Sequence, residues 1–153
     1  MFRKLMGAAA IAAFSATLAF AAMSADEMIK ARQTEMKANG KAMGELAKIF
    51  KGETPFDAAA VKTQIDAMGA AYDTGVKAGA WDPASAKGET VETWAKPELF
   101  TDMEGSKAAG MAMGAAMGKV AAATDDASFK VAFQELGGAC KGCHEKFRRP
   151  KDN

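Results

Sequence analysis

The sequence holds a single histidine and only two cysteines, so metal or redox chemistry has few places to sit. β-branched and aromatic residues are sparse, the aromatics at 8%, which excludes an all-β chain. Neither sign of charge dominates. Twenty Lys+Arg face 19 Asp+Glu, for a formal net charge of +1, and so weak a field excludes an electrostatic nucleic-acid binder. With charged residues at 25% and hydrophobic ones at 49%, disorder and collagen-like repeats are excluded as well. No internal repeat points to a solenoid. What is abundant is alanine, together with 11 methionines, a mixture that favours helix. A chain of 153 residues makes one ordinary domain.

Arg3 and Lys4 precede an uncharged run from Leu5 to Ala25 that includes Ala19-Phe20-Ala21. A basic start, an apolar middle and small residues two apart describe a secretory signal peptide of residues 1–21, cut after Ala21. The alternative is an uncleaved membrane anchor, but the run is weakly hydrophobic and ends in a cleavage pattern. No later stretch is apolar enough to span a bilayer. The expectation is an exported, periplasmic domain of residues 22–153, with no membrane attachment once the signal is removed.

Turn signals divide that domain into four helical blocks. Ser24 with Glu27 three residues on is a capping box, and its block runs to Gly52 with Ile29, Gln33, Met36, Gly40, Met43, Ala47 and Phe50 at the spacing of one buried face. Thr54-Pro55 restarts a helix with Pro at its first position and with Phe56, Val61, Ile65, Met68 and Tyr72 inward, fading at Gly75 to Gly79. Residues Ala80 to Lys96 form the long connection. Pro97 opens a third block that continues to Ala123. Thr124-Asp125-Asp126 caps a fourth, running through Phe129, Phe133 and Leu136 to about Arg149. Four such helices, joined short, long, short, predict an all-α, antiparallel up-down-up-down four-helix bundle. Gly110, Gly114 and Gly118 recur every fourth residue, as do Gly40 and Gly44. Each costs about 1 kcal/mol against alanine in a helix, which points to close approach by a neighbouring helix or a flat ligand.

Cys140-Lys141-Gly142-Cys143-His144 is a Cys-x-x-Cys-His, the attachment pattern of a c-type haem. Two thiols three apart on a helical turn each reach one vinyl group, and the adjacent imidazole is aimed at iron as the proximal ligand. A reactive dithiol would want the positive N-terminal end of a helix, and these thiols sit near the C-terminal end of the last one. A zinc site would lack a clear fourth ligand. A structural disulfide would leave the only histidine unexplained.

On these motifs the chain resembles the cytochrome c′ family, the class II c-type cytochromes. The resemblance spans residues 22–153 and is most specific in the run from Cys140 through Phe147 to Arg148, with further matches at Arg32-Gln33, Pro55-Phe56-Asp57 and Trp94. It implies a bundle carrying one covalent haem c and places Arg32, Gln33 and Arg148 beside it. For Arg148, with Lys146 and Arg149, plain charge complement to a helix C-terminus is the rival reading.

An up-down-up-down bundle brings Met28, Met36, Met68 and Met103 to the end that holds His144, and geometry does not choose among them. The resemblance does, because the residue three after the Gln of Arg-Gln faces the distal side of the haem, and here it is Met36. Many family members carry Leu or Phe there and keep an open iron. A methionine implies the His/Met arrangement of the electron-carrying members. The expected function is therefore single-electron transfer through a haem ligated by His144 and Met36, with no substrate chemistry of its own. The alternatives are a five-coordinate binder of nitric oxide or carbon monoxide, and a haem-free thiol-disulfide enzyme. Redox proteins are the expected partners, docking against Lys141, Lys146, Arg148 and Arg149; self-association through the first two helices, familiar in the family, leaves a homodimer open.

Overall fold

The computed structural model describes residues 23–150. The expected signal peptide and its cleavage site lie outside the described residues. Five helices follow in order: α1 Ala25–Phe50, α2 Ala58–Lys77, the single turn α3 Glu98–Thr101, α4 Met103–Ala121 and α5 Asp126–Phe147. Among the described residues the one β pairing is an isolated antiparallel bridge between Ala95 and Arg148. None of the helices there is long and apolar enough to cross a membrane. The four long helices form two hairpins, α1 on α2 and α4 on α5, which meet more lightly through α2–α4 and α1–α5.

Local chemistry sets the helix ends. Ser24 and Glu27 exchange the two bonds of a capping box, with Ser24 N–H donating to the Glu27 carboxylate at 2.8 Å. Asp125 and Ser128 do the same for α5. Gly52 and Gly79, just past α1 and α2, take the positive φ of 76° and 66° that closes a helix cheaply only for glycine.

Three expectations need correction here. α2 starts at Ala58 rather than at Pro55, because the Asp57 carboxylate captures the Ala60 N–H at 2.7 Å and frees Phe56 to pack on Phe129, centroids 5.7 Å apart. The third block is interrupted at Asp102 (φ −90°, ψ 71°), whose side chain accepts from Gly105 N–H at 2.8 Å and so caps α4 afresh. α5 stops at Phe147, short of Arg149, because the chain turns away to bond residues 94–96.

The hydrophobic core fills one end of the bundle. Leu46, Val61, Met68, Val120, Phe129 and Leu136 are fully buried there, with Phe50 and Phe133 packed at their margin. Each large apolar side chain so buried contributes about 1.5–3 kcal/mol, which is where the bundle's stability is concentrated. Met68 belongs to this closed end as packing.

The opposite end holds the start of α1, the end of α2, the start of α4 and the end of α5, roofed by residues 78–97 with a 3-10 turn at Pro83–Ala86. The buried face of α1 differs from the expected one. It runs Ile29, Arg32, Glu35, Asn39, Ala42, Leu46 and Ile49, about one residue, or 100°, around the helix from the predicted stripe. Met36, Met43, Ala47 and Phe50 lie on its edge, half-buried, while Gln33 and Gly40 are exposed. Arg32 and Glu35 are inside because the long connection folds over them, bonding Arg32 through Ala80, Ser85 and Thr93 and Glu35 through Trp81. Tyr72, expected inward, is exposed, and Gly75 takes the buried place on α2. A Cβ at Gly75 would overlap the Glu35 carboxylate, so this glycine does serve a close approach. No protein atom lies within 4 Å of where the Cβ atoms of Gly40, Gly44, Gly110, Gly114 and Gly118 would stand, so no neighbouring helix makes the close approach there.

Candidate functional site

The last two turns of α5 carry Cys140, Cys143 and His144. The thiols are unpaired and half-buried, one helical turn apart on the same face, and His144 follows directly, exposed. Burial pushes both thiols above their usual range, and for Cys143 its neighbour Cys140 adds to the effect. That is the reverse of what a reactive dithiol needs. Partial desolvation, and secondarily the Arg148 guanidinium, hold the His144 imidazole below its usual value. At neutral pH it is uncharged and has a ring nitrogen free to ligate.

A shallow cleft of about 360 Å³ opens beside His144, lined by Lys96, Glu145, Arg148, Arg149 and Pro150. The Arg148 guanidinium lies over the Trp94 ring, 5.0 Å from its centroid. The basic cluster around the motif is less available than its sequence suggests. Lys146 pairs with Asp102 at 2.7 Å, Arg149 with Glu92 at 3.3 Å and Lys141 with Glu145 at 3.6 Å. The Lys146 bond, and then the Gly105 N–H, hold the Asp102 carboxyl below its ordinary range.

Arg32 and Gln33 sit across the bundle on α1. Arg32 is buried and spends its fork on the long connection: Nη1 donates to Ala80 O and to Ser85 Oγ at 2.6 Å, and Nη2 donates to Ser85 O at 3.0 Å and Thr93 Oγ1 at 2.9 Å. The guanidinium also stands 5.4 Å from the Phe100 ring centroid. Gln33 Nε2 donates to Glu92 O at 2.8 Å. Met36 is half-buried one turn further along. Arg32, Gln33 and Arg148 thus converge on residues 92–94, while Cys140, Cys143 and His144 form a second group on α5.

Two residues were not anticipated. Glu35 is buried and accepts a hydrogen bond from Trp81 Nε1 at 3.1 Å, and burial pushes its carboxyl up to about 7 against the opposing pulls of Trp81 and Arg32. Asn39 is buried with neither its amide nitrogen nor its oxygen partnered. The signal was present, since Arg32, Glu35 and Asn39 continue the three–four spacing of Ile29, Ala42 and Leu46; a search for apolar residues alone passes over them.

A family model described as Cytochrome C′ matches residues 27–148. The chain belongs to the cytochrome c′ family. It is 35% identical over 125 residues to a cytochrome c′ of Rubrivivax gelatinosus, covering 80% of this chain and 94% of that one. It is 33% identical over 153 residues to a cytochrome c-556 of Agrobacterium fabrum, covering 99% and 100%. The crystal structure of cytochrome c′ from Thermochromatium tepidum superposes with a TM-score of 0.73 at 30% identity, covering 85% of this chain and all of the other.

Members of the cytochrome c′ family are four-helix bundles with covalent haem c, and the protein is a haem-binding member of electron-carrier type. The side chains present suit that group. Two unpaired thiols, a neutral imidazole beside them, half-exposed methionines on the edge of α1 and the orphaned amide of Asn39 make a donor set for a flat, largely apolar cofactor with polar edges.

Proposed function

We propose that this cytochrome c′ family member carries single electrons through one haem c held by thioether bonds to Cys140 and Cys143, with His144 and Met36 as axial ligands. The observation that carries the reading is the placement of both thiols and the only imidazole on one face of the last two turns of α5, with Cys140 against the hydrophobic core and His144 exposed beside the cleft. When bound, the haem supplies an iron that alternates between ferrous and ferric states. The chain holds and tunes it. His144 is kept neutral by desolvation and by Arg148. Met36 would offer the iron a thioether ligand, which raises a haem potential relative to two imidazoles. Arg32 and Gln33 hold residues 92 and 93 from α1, and Arg148 lies over Trp94 at the cleft that His144 lines. Export through a signal of residues 1–21 would place attachment in the periplasm.

The test is a haem spectrum that survives acid–acetone extraction from the exported protein and disappears in a Cys140→Ser, Cys143→Ser double variant. Exported protein without covalent haem would overturn the reading.

A second reading, an open iron that binds nitric oxide or carbon monoxide, is favoured by one feature. Gly40, one turn beyond Met36, is exposed with open space beside it, so protein atoms do not seal that face of α1. Ferric spin state separates the two: low-spin for Met36 ligation, high-spin for an open iron. The groove of about 390 Å³ between α1 and α2, lined by Ala31, Ala38, Ala70 and Ala71 among others, is where a second copy would pack. Sedimentation of the holoprotein reads this directly.

A further inference from the structure

The helices that carry the proposed axial ligands, α1 with Met36 and α5 with His144, pack on one another only lightly. What joins them at the end roofed by the long connection is the segment 89–96. On its α1 side the Asp26 carboxylate accepts from the N–H groups of Glu89 at 2.8 Å, Thr90 at 3.0 Å and Val91 at 3.2 Å. Gln33 donates to Glu92 O at 2.8 Å, and Arg32 to Thr93 Oγ1 at 2.9 Å. On its α5 side Lys96 N–H donates to Phe147 O and Arg149 N–H to Trp94 O, each at 2.8 Å. Lys96 Nζ donates to Glu145 O at 3.0 Å and Lys146 O at 3.2 Å, so one segment satisfies carbonyls that the end of α5 leaves without helical partners. Two residues bond both α1 and the chain just past the end of α5. Glu92 accepts from Gln33 through its carbonyl and from Arg149 through its carboxylate; Thr93 accepts from Arg32 through its hydroxyl and from Arg149 through its carbonyl.

We propose that residues 92–94 form a strut that sets the gap between α1 and α5, and that Arg32 and Thr93 are positioning residues which hold Met36 at ligating distance from the iron. This rests on the His144/Met36 reading. Arg32 lies one turn before Met36, so a shift of its guanidinium relative to Thr93 moves the methionine with the helix. The fork also joins Ala80, Ser85 and Thr93 at once, which a lysine ammonium cannot reproduce. A strut of this kind gives the bundle a stiff distal side where helix packing alone is loose.

The experiment is the ferric spectrum and carbon monoxide binding rate of the holoprotein with Thr93→Val, Thr93→Ser and Arg32→Lys. Valine keeps the shape of threonine and removes the acceptor; serine restores it. Amide hydrogen exchange at Lys96 and Arg149 is followed in parallel, and far-UV circular dichroism verifies that the helices persist. Thr93→Val is expected to raise the fraction of iron without sulfur ligation, and the carbon monoxide rate, by about tenfold, the factor one partly buried hydrogen bond to a charged group is worth. Thr93→Ser returns both toward wild type, Arg32→Lys behaves like Thr93→Val, and exchange at Lys96 and Arg149 speeds up in the two disruptive variants. A low-spin wild type with an unchanged spectrum and carbon monoxide rate in Thr93→Val overturns the strut and leaves Met36 ligation standing. A wild type that is high-spin before any substitution overturns Met36 ligation, and with it the positioning role. Should Thr93→Val lose its helices, Thr93→Ser and Arg32→Lys carry the same comparison, and low-spin iron in Arg32→Lys refutes the role.

Discussion

Glu35→Gln should make the protein more stable at neutral pH and leave it nearly unchanged in acid. Glu35 is 3% exposed, and the Trp81 indole N–H and the Arg32 charge only partly offset its desolvation, so its carboxyl rises from 4.5 to about 7. The folded state therefore holds this proton more tightly than the unfolded chain. Below pH 4.5 both states are protonated and the carboxyl costs nothing. Between 4.5 and about 7 the unfolded chain releases the proton first, so stability falls as pH rises, and above 7 the loss is complete. At 1.36 kcal/mol per pH unit the full effect is at most about 3 kcal/mol. Glutamine matches the protonated acid in shape and keeps an oxygen for Trp81. The difference in melting temperature between variant and wild type should grow from near zero at pH 4 to about 10 °C at pH 7.5. Thermal unfolding of the holoprotein, followed by circular dichroism across that range, measures it. A difference that does not vary with pH would refute a neutral buried Glu35.

Met36→Leu conserves volume at a half-buried position and should change stability by less than about 1.5 kcal/mol, yet turn ferric iron high-spin and open it to carbon monoxide; optical spectra of both oxidation states check this, with Met68→Leu and Met103→Leu as controls that stay low-spin. Gly75→Ala should destabilise by about 1–3 kcal/mol, because the added methyl overlaps the Glu35 carboxylate, and urea unfolding reads the loss. Gly114→Ala should stabilise by about 0.5–1 kcal/mol, since the site is open and the helix gains a better former; destabilisation would mean that something packs against this glycine.

Much of the fold and the centre of the site can be read from the residues alone, because both rest on local rules. Capping pairs at Ser24–Glu27 and at Asp125 mark two helix starts through bonds made within one turn. The Cys-x-x-Cys-His spacing places two thiols and an imidazole together on any helix that contains it. Tertiary structure decided what depends on contacts far apart in the chain. Asp102 reads as an ordinary helical residue until its carboxylate is seen capping α4 and pairing with Lys146. By periodicity alone Arg32, Glu35 and Asn39 fall off the apolar stripe, since polarity normally marks the outside of a helix, and only the family resemblance points Arg32 inward. Arg32 and Glu35 are buried because residues 78–97, some 50 positions away, fold across them, supplying acceptors for Arg32 and the Trp81 donor for Glu35, while Asn39 is buried with no partner. The link between α1 and α5 through Thr93 is of the same kind. No periodicity announces a hydrogen bond such as that of Arg32 to Thr93, some sixty residues apart, so only the folded connection reveals it.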